Sequence, residues 1–399
     1  MAPDVPYFDH NATSPPDPRV VAAMNVWLGA RHANPSSLHA SGRAARAAVE
    51  QARRQVADLL AARPEEVVFV GSGSEANNAV IAGLISGEAS RRSAPPALVV
   101  ASFEHPSVLA AAERAATQGA EVVRVPPRSD GRVAAADVEA ELAGLRARGG
   151  AERSVLVALM LANNEIGTLQ PVAEVAERCR RHRALLLCDA VQAVGKVPVD
   201  VAALGADFVV LGGHKFHGPL GSGALWIRSG IEIEPLLVGG SQERRRRAGT
   251  ENVPAIVGLG VACALAAEEL DDRADHLSRL RRRLERGLLA SIEGCTLHCT
   301  DTPRLPNTTS VRFHGVRAQE LLIRLDLAGF AVSTGSACSS GAVEASPTLL
   351  ALGLSEEEAL ATLRISCGLP NTVDEVDALV AALGRESEAL RRATARVAS

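Results

Sequence analysis

Apolar runs of strand length recur from residue 67 to residue 227, and most of them are continuous rather than alternating. They lie at Val67–Val70, Leu98–Ala101, Val122–Val125, Val155–Leu159, Leu185–Cys188, Phe208–Leu211 and Ala224–Ile227. Strands that are buried on both faces give such runs. Segments with helical periodicity separate the earlier runs, for example Glu75–Ile85, Pro106–Gln118 and Val172–Arg181. The alternation predicts an α/β fold with a mostly parallel seven-stranded sheet covered by helices.

The pattern changes after about residue 260. It predicts a long helix from about Pro254 through the charged stretch Glu268–Arg286. The elements predicted after it are a strand at Ser310–Phe313, a helix at Ala318–Leu327, a short strand near Ala331–Val332, a strand at Thr362–Ser366 and a helix from Val373. Strands mixed with helices favour a smaller α+β domain. We therefore expect a large domain at residues 16–260 and a small domain at residues 1–15 and 261–399.

Composition and charge narrow the functional classes. Of the 399 residues, 47% are hydrophobic and 22% are charged, which excludes a disordered protein. A net charge of -4 gives no case for direct nucleic-acid binding or an anionic membrane as the main partner. The amino terminus shows no signal peptide, and the longest uncharged apolar stretch, Val253–Ala267, is too short to span a membrane. With seven cysteines, an odd number, we expect reduced thiols and a cytoplasmic location.

An aspartate and a lysine end two of the predicted strands. Asp189 ends the run Leu185–Cys188, and Lys215 follows Phe208–Leu211 by a few residues. Ligands bind at the carboxyl ends of strands in open α/β sheets. A desolvated lysine forms Schiff bases, and an aspartate holds a pyridinium nitrogen protonated, which is what pyridoxal phosphate requires. The alternative is a structural ion pair between Asp189 and Lys215.

Three further segments follow strands and carry small or polar residues. Gly73 and Ser74 open a predicted helix and suit a phosphate, although Ser74 also suits a helix N-cap. His105 suits stacking on a flat ring and proton transfer, or it is a surface histidine. Asn163 and Asn164 suit contacts to a ring oxygen or a carboxylate, or an Asx turn.

Cys338 lies in a run of serines, alanines and glycines, Ser333–Gly341. Such a segment is expected to be an exposed loop, so this thiol is accessible, whereas Cys188 and Cys263 are expected to be buried. Accessibility favours a nucleophile, and the alternative is an incidental loop thiol. Cys295, His298 and Cys299 lie close together in sequence, but two cysteines and one histidine seldom form a closed metal site.

Motifs along the whole chain resemble those of the cysteine desulfurases, in family order. They are Tyr7–Thr13, Asn34–His39, Gly73–Asn77, Glu104–His105, Asn163–Gly167, Asp189–Gln192, Gly213–Lys215, Arg247–Asn252 and Ser336–Cys338. The segment around Cys338 resembles the longer active loop of the group I, NifS/IscS-like branch. The resemblance implies a homodimeric fold-type I pyridoxal 5'-phosphate enzyme of the class V aminotransferase group. It also implies L-cysteine as substrate and a sulfur-acceptor protein, such as an iron–sulfur cluster scaffold, as partner.

The resemblance also implies roles for single residues. Those matched to the cofactor are Lys215 as the Schiff-base lysine, Asp189 at the pyridine nitrogen, Gln192 at the ring hydroxyl, His105 as the stacking and catalytic histidine, Asn164 at the ring, Gly73, Ser74, Gly212 and His214 at the phosphate, and Thr250 at the phosphate of the other subunit. Those matched to the substrate are Asn34, Asn164 and Arg364. Cys338 matches the persulfide-forming thiol and a possible transient iron–sulfur ligand.

Some positions depart from the family pattern. Gly212 stands where the family often has serine, Leu220 replaces a usual lysine, and Ser241 replaces a glycine. The run Arg244–Arg247 is either a solvated basic rim or a surface for anionic substrate, an acidic acceptor or the dimer partner. Two other functions stay open. One is a selenocysteine lyase or another pyridoxal-phosphate-dependent β-elimination lyase, and the other is an inactive relative that acts as a binding subunit.

Overall fold

The structure, a computed structural model, describes residues 5–29, 31–89, 95–335 and 344–397. The helices are α1 Pro18–Leu28, α2 Ala40–Leu59, α3 Gly73–Ala89, α4 Pro106–Thr117, α5 Ala135–Gly149, α6 Val172–Arg181, α7 Val201–Leu204, α8 Val253–Glu268, α9 Leu270–Ser291, α10 Ala318–Leu327, α11 Pro347–Ala351, α12 Glu356–Leu360 and α13 Val373–Val397. The strands are β1 Val67–Val70, β2 Ala97–Ala101, β3 Glu121–Val125, β4 Val155–Ala158, β5 Leu185–Asp189, β6 Phe208–Gly212, β7 Gly223–Ile227, β8 Cys295–Leu297, β9 Thr308–Phe313 and β10 Thr362–Ser366.

The larger sheet has seven strands in the order β1-β7-β6-β5-β4-β2-β3. Strand β7 runs antiparallel to β1 and β6, and the other pairs are parallel. All seven strands lie where the apolar runs predict them, so the α/β fold with a mostly parallel sheet is confirmed.

Helices on both faces explain why the apolar runs are continuous. In β2, Leu98 and Val100 pack into a cluster with α3 and α4, whereas Val99 and Ala101 pack on the opposite face. That opposite cluster also includes residues of α2, α5, α6 and α8. Because successive strand residues point to opposite faces, both sets must be apolar when both faces are covered.

The smaller sheet is antiparallel, in the order β10-β9-β8, and it forms a second apolar core with α9, α10 and α13. Phe8 from the amino-terminal segment lies fully buried in this core. The short strand predicted near Ala331 is a single bridge between Ala331 and Tyr7. The sequence pattern did not predict the three-residue strand β8. The domain boundaries stay a prediction.

The long helix predicted from Pro254 is wrong, because it is two helices bent by 77°. Helix α8 is apolar along most of its length and buried, whereas α9 is amphipathic. Glu269 lies at the break, where its carboxylate binds Arg273 at 2.8 Å and Arg19 at 2.6 Å. Among the residues described, no single helix is long and apolar enough to cross a membrane, and only the bent pair passes that test when its halves are combined.

A buried ion pair fixes the edge strand β1. Arg53 of α2 donates to both carboxylate oxygens of Glu243, at 2.7 and 2.8 Å, and to the carbonyl of Val67 at 2.8 Å. Glu243 also accepts from the backbone N–H of Phe69 at 2.9 Å. Positive φ angles of 46°, 57° and 67° at Glu243, Arg244 and Arg245 show that the pair holds a strained turn.

Arg53→Met is expected to lower the free energy of unfolding by about 3–5 kcal/mol, because it removes the guanidinium that is hydrogen-bonded to the buried Glu243 carboxylate. The exposed neighbour Arg54 provides the control, since Arg54→Met is expected to change that free energy by about 0.5 kcal/mol or less. Denaturant unfolding of both variants measures the difference. Equal unfolding midpoints in the two variants would contradict this account.

Candidate active site

A cavity of about 590 Å³ lies at the carboxyl ends of the central strands and extends to the smaller sheet. The predicted site residues that line it are Gly73, Ser74, His105, Asn164, Asp189, Gln192, His214, Lys215 and Arg364. Its size is that of a typical small-molecule site. Residues distant in sequence therefore meet at one cavity, as strand-end positions predict.

Asp189 is the last residue of β5, and only 7% of the residue is exposed. One carboxylate oxygen accepts from the Asn77 amide at 2.7 Å, and the other accepts from the backbone N–H of Val191 at 3.0 Å. Hydrogen bonds of this kind stabilise a carboxylate in a buried place. Asp189 thus presents a fixed anion to the cavity.

Lys215 follows β6 in a tight turn, and its amine donates to the carbonyls of Asn11 and Ala12, each at 2.7 Å. Burial, with a smaller contribution from Arg364, lowers the pKa of Lys215 to about 8, although Asp9 and Asp189 act in the opposite direction. About a tenth of the amine is therefore uncharged at pH 7, far more than for an ordinary lysine with a pKa of about 10.4. Because Lys215 bonds to carbonyls and Asp189 to N–H groups, the alternative of a structural ion pair does not describe their contacts.

The amino end of α3 forms an anion-binding corner of the cavity. Ser72 accepts from the backbone N–H of Glu75 at 3.1 Å, so Ser72 is the capping residue and Ser74 keeps an exposed hydroxyl. A Cβ on Gly73 would lie 2.7 Å from Val191, so only glycine lets this turn approach the sheet. Burial lowers the pKa of His214 to about 4, which leaves its ring neutral. Free N–H groups at a helix start bind phosphates.

His105 is the N-cap of α4, where its Nδ1 accepts from the backbone N–H of Ser107 at 3.1 Å. The cap fixes the ring on the wall of the cavity. Burial lowers the pKa of His105, Lys215 lowers it further, and Asp189 raises it. His105 is therefore neutral at the pH of a cell.

Arg364 of β10 brings the smaller sheet to the cavity. It donates to Asp9 at 2.6 Å and to the carbonyl of Asn164 at 3.1 Å. Its Nε is buried and has no hydrogen-bond partner among the described residues. A guanidinium held in this way suits a carboxylate ligand.

The two neighbouring asparagines Asn163 and Asn164 differ in their contacts. Asn163 accepts from the N–H groups of Glu165 and Ile166 in an Asx turn, and only Asn164 lines the cavity.

Asn11 is a site residue that sequence reasoning missed. Its carbonyl accepts from Lys215 and from the Gln192 amide at 2.9 Å, and its amide donates to the carbonyl of Asn164 at 3.1 Å. Lys196, also missed, donates to Gln192 at 2.8 Å and to the Asn11 side chain at 3.3 Å. Burial, followed by the charges of Lys215 and Arg364, lowers the pKa of Lys196 well below its usual value.

A compositional signal was available for Lys196. The chain has two lysines, Lys196 and Lys215, and its other basic residues of this class are arginines. Both lysines are therefore at this site, where an amine is chemically different from a guanidinium because only the amine loses its proton readily.

A second buried carboxyl lies behind the site at Glu104. It accepts from the backbone N–H of Met160 at 2.6 Å, and its other oxygen has no partner among the described residues. Burial, with the charge of Asp189, raises the pKa of Glu104 to about 8. Glu104 is thus mostly protonated at neutral pH, which spares Asp189 a second adjacent anion.

Three of the other predicted positions do not line this cavity, and the fourth is not among the described residues. Asn34 is exposed on a turn, and Gly212 lies at the end of β6 without lining the cavity. Thr250 lines a separate cavity of about 200 Å³, so its predicted contact to the other subunit stays a prediction. Cys338 lies outside the described residues. One described range ends at Gly335, which lines the cavity, and the next begins at residue 344.

None of the three departures from the family pattern lines the cavity, although a Cβ on Gly212 would lie 3.9 Å from the backbone nitrogen of Gly73, which does line it. Leu220 is 72% exposed, and Ser241 is exposed. The arginines of the run Arg244–Arg247 differ in their contacts. Arg247 pairs with Glu75 of α3 at 2.8 Å, whereas Arg244 and Arg245 are exposed. The interpretation as a solvated basic rim therefore does not describe Arg247, and the interpretation as a binding surface stays a prediction.

The six described cysteines are poor nucleophiles. Cys188 and Cys263 are fully buried, as expected. Burial is the largest cause that raises the thiol pKa of all six, which are Cys179, Cys188, Cys263, Cys295, Cys299 and Cys367. The values for Cys299 and Cys367 rise to about 11 and about 12. Across the described ranges no group of three or more histidine, cysteine or acidic side chains is placed to hold a metal ion.

The lowered pKa of Lys215 gives a pH prediction. The rate at which Lys215 reacts with a small aldehyde, trapped by borohydride, is expected to rise with pH through about 8 and then level off, since only the neutral amine reacts. Mass spectrometry of peptides distinguishes an adduct on Lys215 from one on Lys196, the other of the chain's two lysines.

Asp9→Asn tests the cause of that value. Asp9 raises the pKa of Lys215, so its neutralisation is expected to move the midpoint of the rate to lower pH. A wild-type midpoint near the ordinary lysine pKa of about 10.4 would show that Lys215 is not perturbed.

Comparison with known proteins places the chain in a family. The model of the aminotransferase class-V family matches residues 6–379. A cysteine desulfurase from Nostoc sp. is 39% identical over 385 residues, which cover 96% of this chain and 93% of the relative.

Solved structures agree with this relationship. A NifS-like protein superposes with a TM-score of 0.86 at 35% identity, covering 97% of this chain and 99% of that one. SspA in complex with cysteine superposes with a TM-score of 0.78 at 32% identity, covering 91% and 99%. The chain belongs to the aminotransferase class-V family, and within it to the cysteine desulfurases.

Proposed function

We propose that this protein is a pyridoxal 5'-phosphate-dependent cysteine desulfurase that converts L-cysteine to L-alanine and transfers the sulfur to Cys338 as a persulfide. The observation that carries the proposal is the meeting of the Lys215 amine and the Asp189 carboxylate at one cavity. The family relationship supports it, since relatives named cysteine desulfurase align over nearly the whole chain.

The residues present fit pyridoxal phosphate. The amino end of α3, with Gly73 and Ser74, suits the phosphate. Asp189 suits the ring nitrogen as a fixed anion, and Lys215 suits the aldehyde as an amine whose pKa is lowered to about 8. Gln192 presents its amide at the same wall, held by Asn11 and Lys196. Each polar part of the cofactor thus has a complementary group.

When bound, pyridoxal phosphate supplies an electron sink for the bonds at the substrate α-carbon. Lys215 Nζ is placed to remove and return a proton, because its lowered pKa lets it exchange one near neutral pH. Asn77 and Val191 hold the Asp189 carboxylate in place by hydrogen bonds to its two oxygens. Arg364, held by Asp9 and Asn164, suits the substrate carboxylate.

The sulfur step requires a thiol outside the buried set. The Cys338 thiolate bonds to the sulfur of cysteine while the carbon–sulfur bond of cysteine breaks. The electron pair of the broken bond remains with the carbon skeleton. Two protons then complete alanine, so cysteine and one enzyme thiol give alanine and one enzyme persulfide. The raised thiol pKa values of the six described cysteines support assigning this step to Cys338.

The persulfide sulfur passes to an acceptor protein in this proposal, and an iron–sulfur scaffold is the acceptor that the IscS-type relatives suggest. A homodimer is part of the same proposal. Thr250 and Arg247 support the homodimer, because they line a cavity separate from the one that Lys215 lines. Residues that serve the site of a partner subunit must lie apart from the site of their own chain.

Cys338→Ser is expected to abolish persulfide formation and to lower alanine formation from L-cysteine by at least about tenfold, because serine cannot accept the sulfur. Mass spectrometry of the protein after L-cysteine addition measures the persulfide. Cys299→Ser is the control, since its thiol pKa is raised to about 11. Full-rate alanine formation by the Cys338 variant would favour a lyase, and selenide release from selenocysteine in that variant would identify a selenocysteine lyase.

Gly212→Ser tests the departure at the end of β6. A Cβ on Gly212 would lie 3.5 Å from Val191 and 3.9 Å from the backbone nitrogen of Gly73, so a serine fits beside the phosphate corner. We expect pyridoxal phosphate to bind about 2–10-fold more tightly, as one added hydrogen bond provides. A titration of cofactor binding measures this change.

Gly213→Ser is the matched control for Gly212→Ser. A Cβ on Gly213 would lie 2.5 Å from the Ser222 hydroxyl, so this substitution is expected to destabilise the turn before Lys215. Unchanged or weaker binding in a well-folded Gly212→Ser variant would place the phosphate elsewhere.

A further inference from the structure

A chain of hydrogen bonds connects the two site residues Asp189 and His105. The Asn77 amide nitrogen donates to Asp189 at 2.7 Å and to the Ser107 hydroxyl at 3.1 Å. The Ser107 hydroxyl lies 2.8 Å from His105 Nδ1. Asn77 comes from α3 and Ser107 from the first turn of α4, so the chain crosses between two helices.

The donors in this chain have one consistent direction. Asn77 donates its two N–H groups, one to Asp189 and one to Ser107. With that bond accepted, the Ser107 hydroxyl has its own hydrogen to donate to His105 Nδ1. The backbone N–H of Ser107 donates to the same Nδ1 at 3.1 Å. Nδ1 is therefore an acceptor and carries no proton.

The orientation of the Asn77 amide is determined by its surroundings. Its side chain is 1% exposed, and the amide oxygen has no hydrogen-bond partner among the described residues. The reversed orientation would place this oxygen against the Asp189 carboxylate, where two acceptors repel each other. A buried oxygen without a partner costs free energy, so the amide orientation reflects the stronger demand of Asp189 for a donor.

We propose that Asn77 and Ser107 are positioning residues that hold His105 as its Nε2–H tautomer. In this arrangement the free ring nitrogen of His105 is a hydrogen-bond donor rather than a base. The inference deepens the proposed function and rests on it for the use of His105, but the tautomer itself is independent of any activity.

The charged groups that face His105 are consistent with a neutral ring. Burial favours the neutral ring most strongly, Asp189 favours the protonated ring and Lys215 the neutral one, so the pKa of His105 is lowered. Protonation at Nδ1 would also break both bonds from Ser107. His105 in this state donates a proton in hydrogen bonds but does not remove one, which leaves proton abstraction to Lys215.

Nitrogen-15 NMR of the full-length, cofactor-loaded protein with labelled histidine tests the proposal. The wild-type His105 ring is expected to show a protonated Nε2 and an unprotonated Nδ1, with its signals assigned by their loss in His105→Asn. In Ser107→Ala and in Asn77→Ala, the fraction of the Nδ1–H tautomer is expected to rise about fivefold, as loss of one hydrogen bond implies.

Asn78→Ala is the matched control. Asn78 neighbours Asn77 on α3, and its amide donates to the carbonyl of Ser74 at 2.9 Å and at the longer distance of 3.5 Å to the backbone carbonyl of Ser107, but not to the Ser107 hydroxyl or to His105. It is expected to leave the tautomer unchanged. A protonated Nδ1 in the wild type, or an unchanged tautomer in both Ser107→Ala and Asn77→Ala, would overturn the proposal. Because no substrate is added, a failed persulfide experiment leaves this result interpretable.

Discussion

The structure depends on keeping one amine and one carboxylate at the edge of an apolar sheet. Burial disfavours both charges, so each needs partners of a particular kind. Asp189 accepts from two N–H groups, whereas Lys215 donates to two carbonyls and has a lowered pKa. The same loss of solvent thus gives a fixed anion and a reactive amine at one cavity.

This balance requires both sheets. The amino-terminal segment passes between them, where Asn11 binds Lys215 on one side and Thr308 of β9 on the other. Arg364 reaches the same cavity from β10 and contacts Asp9 of that segment. The cavity wall is therefore shared, and a change in how the sheets pack would alter the surroundings of the amine directly.

The buried polar groups near the cavity differ in what they do. Lys196 and Asn11 hold Gln192, whereas Asn77 and Ser107 connect Asp189 with His105. Such connected networks hold side chains in one geometry, because each partner lost would leave another buried group unpaired. Orientation of the site thus comes from residues that do not face a ligand.

The sequence by itself determined the α/β fold, the seven strands of the larger sheet and the positions of Asp189 and Lys215 at or just after strand ends, since runs of apolar residues are local properties of the chain. It could not predict that Asn11 and Lys196 join the site, because their contacts link segments far apart in the chain. The break at Glu269 was also beyond the pattern, because the residues on both sides of it favour helix and only packing decides the bend. Tertiary structure likewise decided which of two neighbouring asparagines faces the cavity, because the Asx turn at Asn163 uses one of them and leaves Asn164 to line the wall.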